Sequence, residues 1–270
     1  MVPTVFGISD LHLSFARPKP MDRFGAHWAN HAERIAAAWR GRVTEEDIVL
    51  VGGDVSWATR LPEAVPDLQW IGQLPGRKIL VRGNHDYWWS TIGKVRAVGP
   101  DGMHFIQNDV VCMDGVALGG ARLWEFPDVS WPMVEVGPNE PDASPMDRLV
   151  GAVGGAPGGM GRPSPEQAER IRERELLRLQ MSLQKYPTDA LVRIALVHFP
   201  PIGAVGESTI LSATLDEFGV DVCVFGHLHP RQPGILDCFE RVVGRTRYVL
   251  TSCDTIGFAP LRIWPTSVPT

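Results

Sequence analysis

Cysteine is scarce in this chain: four in 270 residues, at Cys112, Cys223, Cys238 and Cys253, with no paired spacing. That usage excludes a disulfide framework and a thiolate zinc ribbon, and predicts reduced thiols in a cytoplasmic protein. Long apolar runs are missing too. None approaches the roughly 20 residues of a membrane-spanning helix, and Met1-Val2-Pro3 carries no basic leader ahead of a stretch that ends at Asp10, so neither a span nor a secretory signal is expected. Positive charge is in deficit, with 26 Lys and Arg against 31 Asp and Glu for a net charge of −5. No overall basic footprint for nucleic acid results. Internal repeats are absent.

What the chain has is one device used five times, a short apolar run that ends in a metal-ligand residue. Val5-Phe6-Gly7-Ile8 leads to Asp10-Leu11-His12, and Ile48-Val49-Leu50-Val51 leads to Gly53-Asp54. Lys78-Ile79-Leu80-Val81 leads to Gly83-Asn84-His85-Asp86, Ile194-Ala195-Leu196-Val197 to His198, and Val222-Cys223-Val224-Phe225 to Gly226-His227-Leu228-His229. Such runs read as buried strands, and in open α/β sheets the carboxyl ends of parallel strands converge on one crevice.

The converging donors are oxygens from Asp10, Asp54 and Asn84 and nitrogens from His12, His198, His227 and His229. One divalent cation takes about four to six such groups. Seven are too many for one ion and suit two ions that share a carboxylate. Mixed imidazole and oxygen ligation without thiolate points to manganese first, with iron or zinc next.

The ordered series Asp-x-His, Gly-Asp, Gly-Asn-His-Asp, His and Gly-His-x-His resembles the calcineurin-like metallophosphoesterase superfamily, over most of the chain from Asp10 to His229. Within it the Asp-Leu-His-Leu-Ser start and the Trp-rich tails look like a bacterial branch of predicted phosphohydrolases. The resemblance implies an α/β fold, a four-layer α/β/β/α sandwich of two mixed sheets. It implies one metal held by Asp10, His12, Asp54 and His229, and a second held by Asp54, Asn84, His198 and His227. A bridging hydroxide would attack the phosphoester. His85 would stand by the phosphoryl group as general acid or transition-state stabiliser. Protein Ser/Thr phosphatases of the superfamily carry Asp-Arg-Gly and Asn-His-Glu where this chain has Asp54-Val55-Ser56-Trp57 and Asn84-His85-Asp86. The departure argues against that subgroup and leaves Asp86 as a candidate to orient His85. A small phosphorylated substrate is expected, a nucleotide among the options, with phosphodiesters favoured. The rivals are a phosphomonoesterase or nucleotide phosphatase on the same site, and a binding scaffold that keeps the fold.

The remaining text fills in the frame, with five ligand stretches spread over both halves predicting one domain, 1–270. A helix is predicted from Trp28 to Arg40 with Gly41 as its stop. His27 and His31, four apart on or beside it, read as packing or pocket polarity. Trp57, Trp88 and Trp89 follow the central motifs and suggest an aromatic wall for substrate. Strands are predicted at Phe105-Ile106, Val110-Val111-Cys112, Val116-Ala117-Leu118, Arg241-Val242-Val243 and Tyr248-Val249-Leu250, with Asp114-Gly115 as a hairpin signal. Thr251-Ser252-Cys253-Asp254 is expected to close the last sheet. Arg122 is a candidate phosphate contact. Around 136–165 the composition turns to Gly and Pro, as in an insertion or lid. Ser164-Pro165-Glu166-Gln167 then caps a helix whose body runs from Glu169 to Tyr186.

Overall fold

A computed structural model of the chain describes residues 3–131, 163–230 and 236–266. Its described strands form two mixed sheets with helices on their outer faces, the α/β sandwich the motifs imply. In the first sheet β1 (Val5–Ile8), β2 (Ile48–Val51), β3 (Arg77–Leu80) and β4 (Met103–Phe105) run parallel in sequence order. The short strand β11 (Leu261–Trp264) lies antiparallel against β1. In the second sheet β6 (Val116–Ala121), β7 (Val192–Val197), β8 (Val222–Phe225) and β10 (Thr246–Leu250) are parallel. Antiparallel β5 (Val111–Met113) and β9 (Glu240–Val243) close its two edges.

Side chains alternate across a strand, and the inner strands β1, β2 and β8 are covered on both faces, so they are apolar throughout. On β2, Ile48 and Leu50 face the space between the sheets with Val116, Leu118, Ile194, Leu196 and Val224. Val49 and Val51 face the opposite way, into a core with Ile35, Trp39, Leu68 and Ile71 from the helices. Each fully buried aliphatic side chain contributes roughly 1.5–3 kcal/mol. Burial on both faces therefore fixes the register that lines up the strand ends.

The helices are the crossovers that parallel strands require. Helix α1 (His31–Arg42) links β1 to β2, α2 (Leu61–Gly72) links β2 to β3, and α3 (Ile92–Val98) links β3 to β4. On the second sheet α4 (Pro165–Leu183) precedes β7 and α5 (Ile210–Glu217) links β7 to β8. The cap at Ser164 is as predicted, with its hydroxyl accepting from Gln167 N and the Gln167 side chain returning to Ser164 N. Asp114 (φ 49°) and Gly115 (φ 83°) make the hairpin between β5 and β6 in the left-handed conformation that such turns need.

Several boundaries differ from the sequence reading. The helix predicted from Trp28 starts instead at His31, because Asn30 takes a left-handed conformation (φ 52°) and Trp28 ends a separate 3₁₀ turn, Ala26–Trp28. Gly41 lies inside that helix at an open surface position, where it costs too little to stop it. Helix α4 ends at Leu183, three residues before Tyr186, whose hydroxyl donates to Ile194 O in the strand layer. Strand β11 has no counterpart in the sequence reading. Thr251-Ser252-Cys253-Asp254 follows β10, with Ser252 bridged to Ser9 beyond β1 and Cys253 N donating to Ser9 O. Of the Gly/Pro-rich stretch around 136–165, residues 136–162 lie outside the described residues.

Candidate metal centre

All five ligand stretches leave the carboxyl ends of β1, β2, β3, β7 and β8, and the two sheets bring those ends to one cleft. The backbone there is unusual. Asp10 (φ 58°), His12 (φ 47°), Asp54 (φ 50°) and His227 (φ 73°) all adopt left-handed conformations, which cost about 1–3 kcal/mol each and persist only where the surroundings over-determine them. Gly83 shows how tight the packing is. A β-carbon at this position would fall onto the backbone nitrogen and carboxylate of Asp54, so glycine alone lets the β3 loop approach the β2 loop.

Two clusters of donors result, Asp10 with His12 and His229, and Asp54 with His198 and His227, each with its ligand atoms within 4.8 Å of one another. In the second, His198 Nδ1 lies 2.8 Å from Gly52 O and donates to it, which leaves Nε2 as a lone pair. That lone pair faces Asn84 Oδ1 at 2.6 Å, His227 Nδ1 at 3.2 Å and Asp54 Oδ2 at 3.5 Å. A divalent cation among these groups would satisfy all of them at once. In the first cluster His229 Nδ1 sits 3.0 Å from Asp254 Oδ1 and its Nε2 faces Asp10 Oδ1 at 3.6 Å, so the ring lies between two carboxylates. A carboxylate behind a histidine is the usual way to orient a metal-ligating ring. The residues thus fit divalent ions of the imidazole and carboxylate class.

Electrostatics point the same way. Burial, reinforced by the charges of His229 and His85, holds His12 well below the ordinary histidine range. Burial pushes His198 down to about 4 against the pull of Asp10, and burial with His198 keeps His227 far below its ordinary value. These rings are neutral at pH 7, the state that binds metal. Burial and then the neighbouring charges of Asp10 and Asp86 raise Asp54 well above the usual carboxylate range. Asp10 goes the other way: burial would raise it, but His229, close by with opposite charge, outweighs that and holds it down. Burial also opposes the charge on His229, and Asp254 and Asp10 overcome it.

His85 lies in the same cleft, its Nε2 4.0 Å from Asp54 Oδ2 and its ring 5.8 Å from that of His12. Asp86 does not orient it. The Asp86 carboxylate, fully buried, accepts from Val55 N, Ser56 N, Gly83 N and Trp88 Nε1 at 2.8–3.2 Å, so it ties the β2 and β3 loops together. The Tyr87 hydroxyl, 3.3 Å from His85 Nδ1, occupies the place expected for Asp86. Trp57 does line the cleft, stacked on His12 at 4.7 Å and tilted against His85 at 4.7 Å. Trp88 does not: it is 1% exposed and its indole serves Asp86, because a ring two residues past the loop turns inward to fill the core. Trp89 packs inward in the same way against Phe105. Arg122 carries its backbone to the site, where its carbonyl accepts from His198 N and Phe199 N, but its guanidinium reaches Glu175. His31 packs against Trp28 rather than pairing with His27 around a metal, and belongs to neither cluster.

Sequence reasoning missed a supporting layer. Ser9 Oγ, Ser252 Oγ and His227 N donate to the Asp10 carboxylate at 2.6–3.2 Å, and Cys253 Sγ donates to Asp10 O. Trp28 packs on both His12 and His229. The Lys19 ammonium sits 3.5 Å from the centre of a Trp57 ring and is close enough for its charge to act on His85. For Asp254 a signal exists, an acid just beyond a parallel strand, but that strand reads from sequence as a sheet edge.

Comparison with known proteins agrees with this geometry. Two curated phage proteins match in part: Gene 66 protein of Mycobacterium phage L5 is 35% identical over 78 residues, which is 29% of this chain and 37% of that protein. Its counterpart from Mycobacterium phage D29 is 37% identical over 84 residues, 30% of this chain and 40% of that protein. The matched stretch thus spans well under half the length of either relative. Among solved structures, phosphopantetheinyl hydrolase (PptH) from Mycobacterium tuberculosis has a TM-score of 0.54 at 14% identity, covering 100% of this chain and 99% of that one. The protein TT1561 of Thermus thermophilus has a TM-score of 0.51 at 12% identity, covering 94% and 91%. At such identities the likeness is one of fold. The model of the calcineurin-like phosphoesterases matches residues 3–231, the span that carries all seven converging donors. By that match and by the sandwich that gathers them, the chain belongs to the calcineurin-like phosphoesterase family.

Proposed function

We propose that this chain is, as one domain, a metal-dependent phosphohydrolase with two divalent ions, manganese first among them. Asp10, His12, Asp54 and His229 hold one ion, and Asp54, Asn84, His198 and His227 hold the other. The observation that carries this reading is the His198 Nε2 lone pair, turned on the oxygen of Asn84 and the nitrogen of His227 with its own proton committed to Gly52 O. When bound, a pair of divalent ions supplies an activated water at neutral pH and neutralises charge on the phosphoryl oxygens.

The chain's own residues do the rest. Burial first, then the charges of His198 and Lys19, depress His85 to about 3, so it is neutral at pH 7. With the Tyr87 hydroxyl, 3.3 Å away, donating to Nδ1, the ring carries its proton on Nε2. His85 therefore acts as a fixed N–H donor to a phosphoryl or leaving-group oxygen, and the transition-state role expected of it is favoured over transfer of a full proton. Trp57 supports its ring and excludes water from one side. Asp86 holds the two central loops at their spacing, and Lys19 adds positive charge at the rim.

A diester is the preferred substrate in this reading. Support comes from Asn84-His85-Asp86 in place of the protein-phosphatase motif, and from Trp57 and Tyr87, which flank the donor with apolar surface for a second ester group. The test is hydrolysis of bis-p-nitrophenyl phosphate against p-nitrophenyl phosphate by manganese-loaded protein. Faster turnover of the diester is expected. Preference for the monoester would overturn the diester assignment, and no metal-dependent hydrolysis of either would overturn the enzyme.

A further inference from the structure

The four imidazoles of the centre are held in two different ways. His198 is fixed by the bond from its Nδ1 to Gly52 O, and His229 by the Asp254 carboxylate against its Nδ1. The other two have no such anchor. His12 Nδ1 is buried without a hydrogen-bond partner among the described residues, and so is His227 Nε2, the nitrogen across the ring from the Nδ1 that faces His198. A metal-ligating histidine ordinarily donates its second N–H to a carboxylate or a backbone carbonyl, and that bond sets the direction of the ring. The χ2 torsion of histidine is otherwise broad, so something else must aim His12 and His227.

Each of these two rings lies against an aromatic one. Trp57 stacks on His12 with centroids 4.7 Å apart and planes 20° from parallel, and Trp28 meets the same imidazole edge-on at 6.1 Å. Phe199 lies 4.1 Å from His227 at 40°. Both supports are themselves held in place. Trp57 N donates to Leu13 O at 2.9 Å and its Nε1 to Met21 Sδ at 3.2 Å. Phe199 N donates to Arg122 O at 3.0 Å, and its ring, 3% exposed, packs on Trp124 at 5.5 Å. Contact this close leaves an imidazole little room to turn. The two arrangements are shared out one to each cluster: His229 anchored and His12 packed in the first, His198 anchored and His227 packed in the second.

We propose that Trp57 and Phe199 are positioning residues of the metal centre, each aiming by ring packing the one histidine of its cluster that no hydrogen bond aims. Trp57 serves the site of Asp10, His12 and His229, and Phe199 serves the site of Asn84, His198 and His227. Ring packing takes the place of the usual hydrogen bond, and a ligand ring held in a single direction binds more tightly than one that must first be ordered. This rests on the two-ion reading above and adds what tunes the affinity of each site.

The test is manganese titration of the metal-stripped, dialysed full chain, with free manganese read by electron paramagnetic resonance. Aromatic pairs of this kind are worth roughly two- to twelvefold in an equilibrium, so Trp57→Leu should weaken one manganese site by at least about threefold and leave the other unchanged. Phe199→Leu should weaken the other site, so that the double variant weakens both. Trp57→Phe, which keeps a ring against His12, should recover most of the lost affinity. A smaller loss in Trp57→Leu, an equal loss at both sites in either single variant, or no recovery in Trp57→Phe overturns the proposal. If Phe199→Leu does not fold, Trp57→Leu decides alone, because Trp57 is only half-buried. Wild-type protein that takes up fewer than two manganese ions per chain would remove the two-ion reading itself. Two ions bound with affinities indifferent to both substitutions would leave that reading standing and remove the positioning roles.

Discussion

Replacing Asp254 tests whether the layer behind the ligands matters as much as the ligands. Its Oδ1 accepts from His229 Nδ1 at 3.0 Å, and its side chain is 3% exposed, so little solvent screens the pair. The carboxylate fixes the ring so that Nε2 faces Asp10, and raises the basicity of that nitrogen. Losing such a partner costs about 10–100-fold in metal affinity, or roughly 1.4–2.7 kcal/mol. Asp254→Asn keeps an acceptor for the ring and removes the charge, so a loss near the low end, about tenfold, is expected. Asp254→Ala removes both and should lie near the high end, about a hundredfold. Titration of metal-stripped protein with manganese would resolve this. The site with Asp10 and His12 should weaken in that graded order, and the site with Asn84 and His198 should keep its affinity. High manganese should restore turnover. If both variants bind manganese within about threefold of wild type, the ring is held by packing on Trp28 and the reasoning is refuted.

Asp54→Asn should abolish metal-dependent hydrolysis and leave at most one tightly held ion per chain by elemental analysis; two retained ions would show that Asp54 does not bridge. His85→Ala should slow turnover by about 10²–10³-fold while both ions stay bound; an emptied site would make it a ligand. The metal-stripped protein should lose stability in acid. His198 has its pKa lowered from 6.5 to about 4 in the folded chain, so the unfolded chain binds more protons between those values. Stability is then complete above about pH 6.5 and falls toward pH 4, by roughly 3 kcal/mol from this residue alone. Titration of the His198 ring in the folded, chelated protein by NMR measures it, and a pKa near 6.5 would contradict the buried neutral ring.

Much of this architecture is legible in the sequence because one physical cause produces both pattern and site. A strand buried on both faces must be a short apolar run, and its carboxyl end must open on the cleft, so ligands that follow such runs mark both the sheet and the centre. Asp10, Asp54 and His198 can be read this way. Residues whose role depends on a partner far away in sequence cannot. Asp254 matters because β10 lies beside β8 and brings it to His229, and Lys19 because its loop folds over Trp57. Asp86 and Trp88 mislead for the converse reason. Adjacency to the motif suggests catalysis and substrate contact, whereas each finds its partners in the interior. The start of α1 depends on the left-handed Asn30, and helical spacing alone does not reveal such a turn.

The central claim is that strand ends drawn from both sheets hold a pair of cations. Anomalous diffraction from crystals of the manganese-loaded protein tests it most directly. Two peaks are predicted, roughly 3.5–4 Å apart, one against Asp10, His12 and His229, the other against Asn84, His198 and His227, with Asp54 touching both. A single peak, or none within reach of Asp54, would contradict it.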